Sequence, residues 1–236
     1  MKYIFAKYTD KGPRDRNEDY LDVGFLKDSS LVVAIADGLG GHFGGEIASS
    51  LAVKVFFDKV AENSEENFSK IGEEIHECII SSQNDEKRRG MATTLIASVF
   101  CERKLRGIHC GDSRLVVVRE NGIKRLTEDH TEAQRLFKYK VITKHEYNNY
   151  RRKNILESAL GMRGNPRIDE INFTVNPDDV FIYTTDGVHE KIFLKEMFHM
   201  VRSCVNPRQF VDMIVREIKL RGASDNFSII CIFAKE

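Results

Sequence analysis

Tryptophan is absent from this chain of 236 residues, proline occurs only four times, and neither sign of charge is in excess, with 36 Lys+Arg against 36 Asp+Glu. The balance leaves no global field to hold a polyanion, which argues against nucleic acid or a membrane surface as a partner. Cysteine is sparse too: five residues, at 78, 101, 110, 204 and 231, with no CxxC pair. An odd count at such spacing points away from a disulfide framework or a thiolate zinc site, and towards reduced thiols in the cytoplasm. The longest unbroken apolar runs, Leu31 to Ala36 and Ile229 to Ala234, fall far short of the ~18–20 residues that span a bilayer. The start, MKYIFAKY, lacks the apolar stretch of a secretory leader. What is present is globular: 42% apolar and 31% charged residues, enough to bury a core without staples.

Periodicity predicts short strands at Tyr3 to Tyr8, Tyr20 to Leu26 and Leu31 to Ala36, the last buried on both faces. Two amphipathic helices follow, one carrying Ile47, Leu51 and Val55, the other Phe68, Ile71, Ile75 and Ile79. Thr94 to Cys101, Leu105 to His109 and Leu115 to Arg119 read as a locally paired β-meander. From about Thr127 to Arg167 a charged stretch reads as a surface insertion with short helical pieces. Strands return near Ile168 to Val175 and Val180 to Thr185, then helices around Phe193 to Val201 and Pro207 to Leu220, and a closing strand, Phe227 to Ala234. Strands in groups and helices in pairs indicate an α+β layered sandwich, and no linker divides residues 1–236, so one domain is expected.

Carboxylates recur at the strand ends. Asn17-Glu18-Asp19 precedes one strand, Asp37-Gly38 ends the most apolar one, Asp186-Gly187 ends another, Asp225-Asn226 opens the last, and Asp112 lies in Gly111-Asp112-Ser113-Arg114. Any one of these alone reads as ordinary turn chemistry. If strands bring Asp37, Asp186 and Asp225 to one edge, however, their repulsion costs several kcal/mol unless cations or protons offset it. Hard oxygen donors favour Mg²⁺ or Mn²⁺. Two such ions bridged by one carboxylate and one water generate hydroxide near neutral pH and clamp a phosphoryl group, so phosphate-ester hydrolysis is the natural reaction. The Gly-rich stretch from Asp37 to Glu46 fits neither the dinucleotide fingerprint nor Walker A. Arg14 reads either as a surface arginine or as a bidentate phosphate clamp, and His42 as structural or as general acid. Arg151-Arg152-Lys153 reads as a solvated face, or as a contact for acidic or phosphorylated substrate flanks.

Taken together, Gly12-x-Arg14-x-x-Asn17-Glu18-Asp19, Ala36-Asp37-Gly38-Leu39-Gly40-Gly41-His42-x-x-Gly45-Glu46-x-Ala48-Ser49, Gly90-Met91-Ala92-Thr93-Thr94-Leu95, Gly111-Asp112-Ser113-Arg114, Leu126-Thr127-x-Asp129-His130-Thr131, Thr185-Asp186-Gly187 and Ser224-Asp225-Asn226 resemble the motif series of PP2C-type (PPM) metal-dependent protein serine/threonine phosphatases in their compact bacterial form. The resemblance implies an αββα four-layer sandwich, two central antiparallel sheets flanked by helix pairs. It implies two Mn²⁺ or Mg²⁺ ions, and a third in some members. Asp37 corresponds to the bridging carboxylate, Gly38 to the residue lending a carbonyl, and Asp186 and Asp225 to the other ligands of the first metal. Glu18 and Asp19 correspond to positions serving the second metal and metal-bound waters, Asp112 to the third-metal position, and Arg14 to the phosphate-binding arginine. Residues from about 131 to 166 correspond to the flap beside the active site.

Departures from the family pattern also stand in the sequence. Leu39 occupies the place of the histidine that many eukaryotic members use as general acid, with His42 three residues on; His109 replaces a common asparagine and Lys140 a usual flap glycine. The resemblance implies a cytoplasmic monomer acting on phosphorylated proteins opposite a cognate Ser/Thr kinase. A non-catalytic phosphoprotein-binding relative on the same fold and a hydrolase of small phosphate esters are the competing readings.

Overall fold

Six successive residues, Leu31 to Ala36, are fully buried because each side of their strand meets a different layer. Val32, Ala34 and Ala36 point towards two helices, while Leu31, Val33 and Ile35 point into the space between two sheets, the alternation a strand enforces. The computed structural model describes residues 1–40, 44–63, 67–84 and 86–236. Among these, one antiparallel sheet has the order β1 (Lys2–Asp10), β11 (Phe227–Lys235), β10 (Val180–Thr184), β7 (Arg114–Arg119) and β8 (Gly122–Arg125). The other has the order β2 (Asp19–Phe25), β3 (Leu31–Leu39), β5 (Leu95–Cys101), β6 (Lys104–Cys110) and β9 (Asp169–Thr174), with β4 (Ala92–Thr93) paired to the end of β3.

Each sheet buries its outer face under helices. Helices α1 (Gly44–Glu62) and α2 (Phe68–Ser81) place Phe56, Ile71 and Ile75 over the β3 sheet. Across the sandwich, α6 (Leu194–Arg202) and α7 (Pro207–Arg221) place Met197, Phe210 and Ile214 over the β10 sheet. Pro207 occupies the first turn of α7, where its missing N–H costs nothing, and Asn206 caps it by accepting from the Gln209 N–H. The inner layer packs Phe100, Phe181 and Ile230 between the sheets, and the Tyr183 hydroxyl pairs with Ser98 there at 2.6 Å. The α+β sandwich expected from the grouped strands is thus observed, in the four-layer αββα form that the family resemblance implies. No helix among the described residues is long and apolar enough to cross a membrane.

The expected meander does not form. β5 and β6 pair as a hairpin, but β7 crosses to the other sheet and pairs with β10 and β8. Alternating burial shows that a segment is a strand and leaves its partner open, and β7 is buried on both faces like any central strand. The crossing is made at Gly111, whose φ of +107° and position against the Thr94 side chain leave no room for a Cβ. The insertion also differs from expectation. It carries α3 (Glu132–Lys138) and α4 (Lys144–Asn148), capped by Thr131 and Thr143, but its far end reaches the core, where Leu160 is fully buried and bridges Thr93. A short helix that periodicity does not reveal, α5 (Asp186–His189), follows β10.

Candidate metal and phosphate site

Antiparallel pairing alone brings distant acids together, because the end of one strand lies beside the start of its neighbour. Asp19 opens β2 directly opposite Asp37 on β3. β10 stops at Thr184 and β11 starts at Phe227, so Asp186 and Asp225 flank the same end of the second sheet. Asp112 sits in the crossing between β6 and β7. Arg14, Glu18, Asp37, Asp112, Asp186 and Asp225 line one open cleft of about 590 Å³, together with Gly38. Asp19 is not among the lining residues: it is buried, and its Oδ2 accepts from the Thr185 hydroxyl at 2.9 Å. His42, which the sequence left as either structural or a candidate general acid, lies outside the described residues.

The carboxylates outnumber the cations lining the cleft among the described residues. Arg14 reaches the Asp225 carboxylate at 2.6 Å, and its side chain stays exposed at the cleft mouth. Burial pushes the Asp19 and Asp112 carboxyls up to about 7, with Asp186 adding to each. Asp186 is raised to about 6, first by burial and then by Asp225. Asp37 is held well above the ordinary carboxylate range by burial and by Asp19, Asp186, Asp112 and Asp225 around it. Burial is also the main reason Glu18 is raised. Two like charges about 4 Å apart repel by about 4 kcal/mol at an effective dielectric of ~20. This set therefore asks for protons or cations. The buried Oδ1 of Asp19 has no hydrogen-bond partner, an orphaned acceptor of the kind a cation or its water would satisfy. With carboxylate and carbonyl oxygens as the ligand-type donors in the cleft among the described residues, the set fits Mg²⁺ or Mn²⁺.

The supporting contacts come from residues whose roles the sequence left unread. Asn226 clamps the approach to β2: its Oδ1 accepts the Glu18 N–H at 2.9 Å, and its Nδ2 donates to the carbonyls of Lys11 at 2.8 Å and Arg16 at 2.7 Å. Thr94 donates its N–H to the Asp37 carbonyl and accepts the Asp37 N–H on its hydroxyl. At Gly38 a Cβ would lie 2.2 Å from the Gly45 carbonyl oxygen, so the chain passes too close for any side chain. Asp129 grips Arg114 with both carboxylate oxygens, while His130 exchanges backbone and ring hydrogen bonds with Gly111, so the corner bearing Asp112 is held from both sides. Asn226, Thr94, Asp129 and His130 all stand inside the family motif series, so the sequence carried a signal for them. What they touch it did not show.

Outside the cleft, His109, His130 and Asp169 place ligand-type atoms within 4.8 Å of one another. The His130 Nδ1 accepts from the Gly111 N–H, so its proton sits on Nε2, which donates to Asp169 at 3.1 Å. No lone pair on that ring is left for a cation, and Arg167 already occupies both Asp169 oxygens. His130 and Asp169 form a hydrogen-bond relay to the Asp112 corner. His109 beside them is neutral, pushed down to about 3 by burial.

A family model described as protein phosphatase 2C matches residues 13–218. The chain belongs to the protein phosphatase 2C family. A serine/threonine phosphatase, stp, of Listeria monocytogenes serotype 4b is 30% identical over 234 residues, covering 95% of this chain and 93% of the relative. Among solved structures, the Streptococcus agalactiae serine/threonine phosphatase superposes with a TM-score of 0.91 at 23% identity, covering 99% of this chain and 100% of that one. The catalytic domain of the serine threonine protein phosphatase PstP, in complex with two manganese ions, does so with a TM-score of 0.84 at 22% identity, covering 99% of both chains. This protein phosphatase 2C member thus shares the layered fold of those enzymes.

Proposed function

We infer that this protein phosphatase 2C member is a metal-dependent enzyme that hydrolyses phosphoserine and phosphothreonine in proteins. The observation that carries the reading is the convergence of carboxylates from separate chain segments on one cleft with a single-sided arginine, Arg14. We assign Asp37, Gly38, Asp186 and Asp225 to one cation, Asp37 with Glu18 and Asp19 to a second, and Asp112 with Asp186 to a third. Bound there, Mn²⁺ or Mg²⁺ would lower the pKa of water towards neutrality and offset the charge of the phosphoryl group.

The chain's own residues supply the rest. Arg14 presents a planar fork of N–H donors at the cleft mouth, suited to two oxygens of a phosphate dianion that the carboxylates alone repel. Thr94 is the only hydroxyl side chain lining the cleft among the described residues, and it is engaged by the Asp37 N–H and by Ser113. Buried Cys110 has its thiol pushed up to about 12 by desolvation, so it is no nucleophile. As the family resemblance implies, water is the group that attacks phosphorus, without a phosphoenzyme. On this reading the segment from about 131 to 166 forms a flap that influences substrate choice, and the protein acts as a cytoplasmic monomer opposing a Ser/Thr kinase.

The test is hydrolysis of a phosphothreonine peptide with Mn²⁺. Asp37→Asn and Asp186→Asn proteins are expected to lose about a hundredfold or more in rate, since each removes a metal ligand and a charge at the reacting centre. Wild-type rates in either variant, or in the presence of excess chelator, would overturn the assignment.

A further inference from the structure

Beside the catalytic cleft lies a second cavity of about 430 Å³ that shares Asp112, Asn154 and Asp186 with it. One wall comes from the flap, through Tyr147 and Lys153; the other comes from α5 and the start of α6, through Glu190 and Phe193. Away from the shared Asp112 and Asp186, its charges are largely paired. Lys153 reaches across to Glu190 at 3.1 Å, and Arg114 is bound to Asp129. Tyr147 packs its ring on Phe137, with centroids 5.1 Å apart.

Phe193 is what remains without a partner. The side chain is large and apolar and the residue is 68% exposed, yet nothing about its backbone is loose. Its N–H donates to Glu196 at 2.9 Å, Glu196 is held in turn by Arg221, and the preceding Ile192 is fully buried. An aromatic side chain has only two χ angles to fix, so an exposed ring on a held backbone beside a reaction cleft gives up little conformational entropy when a second apolar group covers it.

A phosphorylated polypeptide with its phosphate in the first cleft must continue past it, at about 3.3–3.6 Å per extended residue. Because the two cavities share Asp112, Asn154 and Asp186, the chain on one side of the phosphoamino acid can run directly into the second. Resting on the phosphatase reading above, we propose that this cavity is the subsite for the residue flanking the phosphoserine or phosphothreonine, and that an apolar flanking side chain packs on Phe193.

The experiment compares wild type with Phe193→Ser on p-nitrophenyl phosphate and on phosphothreonine peptides carrying either leucine or alanine at each of two positions on both sides of the phosphoresidue. Serine is a good helix N-cap, so α6 keeps its start, and an unchanged thermal midpoint checks the fold. The expected result is about a tenfold loss of kcat/KM, through KM, for a leucine-flanked peptide, the size of one buried apolar side chain's contribution. Alanine-flanked peptides should change less than twofold, and the aryl phosphate, which has no flank, not at all. Equal effects on leucine and alanine peptides, or no effect on either, would overturn the subsite while leaving the phosphatase reading intact. A wild-type protein that cleaves the aryl phosphate and no peptide would instead overturn both.

Discussion

Replacing Asn226 with alanine removes three hydrogen bonds at once, those to the Glu18 N–H and to the carbonyls of Lys11 and Arg16. A typical intramolecular hydrogen bond contributes about 0.5–1.5 kcal/mol net, so the three together span roughly 1.5–4.5 kcal/mol. Lys11 and Arg16 are exposed, and their freed carbonyls can turn to water, which places the loss near the lower end, at about 2 kcal/mol. For a chain of this size that corresponds to a fall in thermal midpoint of about 4–8 °C. Activity should suffer more than stability, because the released segment carries both Arg14 and Glu18 to the cleft: kcat/KM on a phosphothreonine peptide is expected to drop at least tenfold, with a higher Mn²⁺ concentration needed for half-maximal rate. Asn226→Asp sharpens the reasoning. The aspartate keeps an acceptor for the Glu18 N–H but turns an oxygen towards two carbonyls and adds charge beside Asp225, so it should be no better than alanine. Circular dichroism melts and steady-state kinetics decide the matter. An alanine variant within about 1 °C and twofold of wild type would show that the clamp does not hold the segment.

Other perturbations follow from the same contacts. Lys140, just past the C-cap of α3, adopts a left-handed backbone conformation, φ +58°, which costs a residue with a Cβ about 1–2 kcal/mol; Lys140→Gly should raise stability by about 1 kcal/mol in urea melts, less the added freedom of the unfolded chain. In metal-free protein Asp19 and Asp112 stand at about 7 and Asp186 at about 6, each raised first by burial, against ~4 in an unfolded chain. Unfolding therefore releases protons between about pH 4 and 7, so the chelated protein should lose stability as pH rises through that window, and Mn²⁺ should flatten the dependence in denaturant titrations. Gly38→Ala puts a Cβ 2.2 Å from one backbone oxygen and 2.6 Å from another, contacts that only a backbone shift relieves; a loss of about 3 kcal/mol or more and of activity is expected, and a soluble, active alanine variant would contradict the packing argument. His130→Asn retains an acceptor for Gly111 while breaking the link to Asp169, and should weaken Mn²⁺ uptake by calorimetry with little change in the thermal midpoint.

Much of this architecture is legible in the amino-acid order. Leu31 to Ala36 declares itself a doubly covered strand because six apolar residues in a row leave no solvent face. Pro207 and the apolar spacing behind it mark α7. The acids at strand ends are visible because Asp-Gly and Asp-Asn pairs punctuate strands, and the motif series supplies their order. Less can be read where local pattern is silent. β8 is only four residues long and carries no run of alternation, α5 is a single turn, and the partner of β7 depends on which sheet has an open edge. Arg152 and Lys153 stay exposed, as a solvated face implies, and pair there with Glu132 and Glu190, partners chosen by elements distant in the chain.

Local physics therefore settled which segments are strands and helices, and which residue types could hold a hard cation, since periodicity, capping and ligand chemistry act within a few residues. Only the folded chain decided that Arg14 meets Asp225 across 211 positions, that Thr185 holds Asp19, and that Asn226 anchors the segment delivering Glu18. Such contacts are set by how two sheets stack and where their strands end, and stacking is a property of the buried faces taken together.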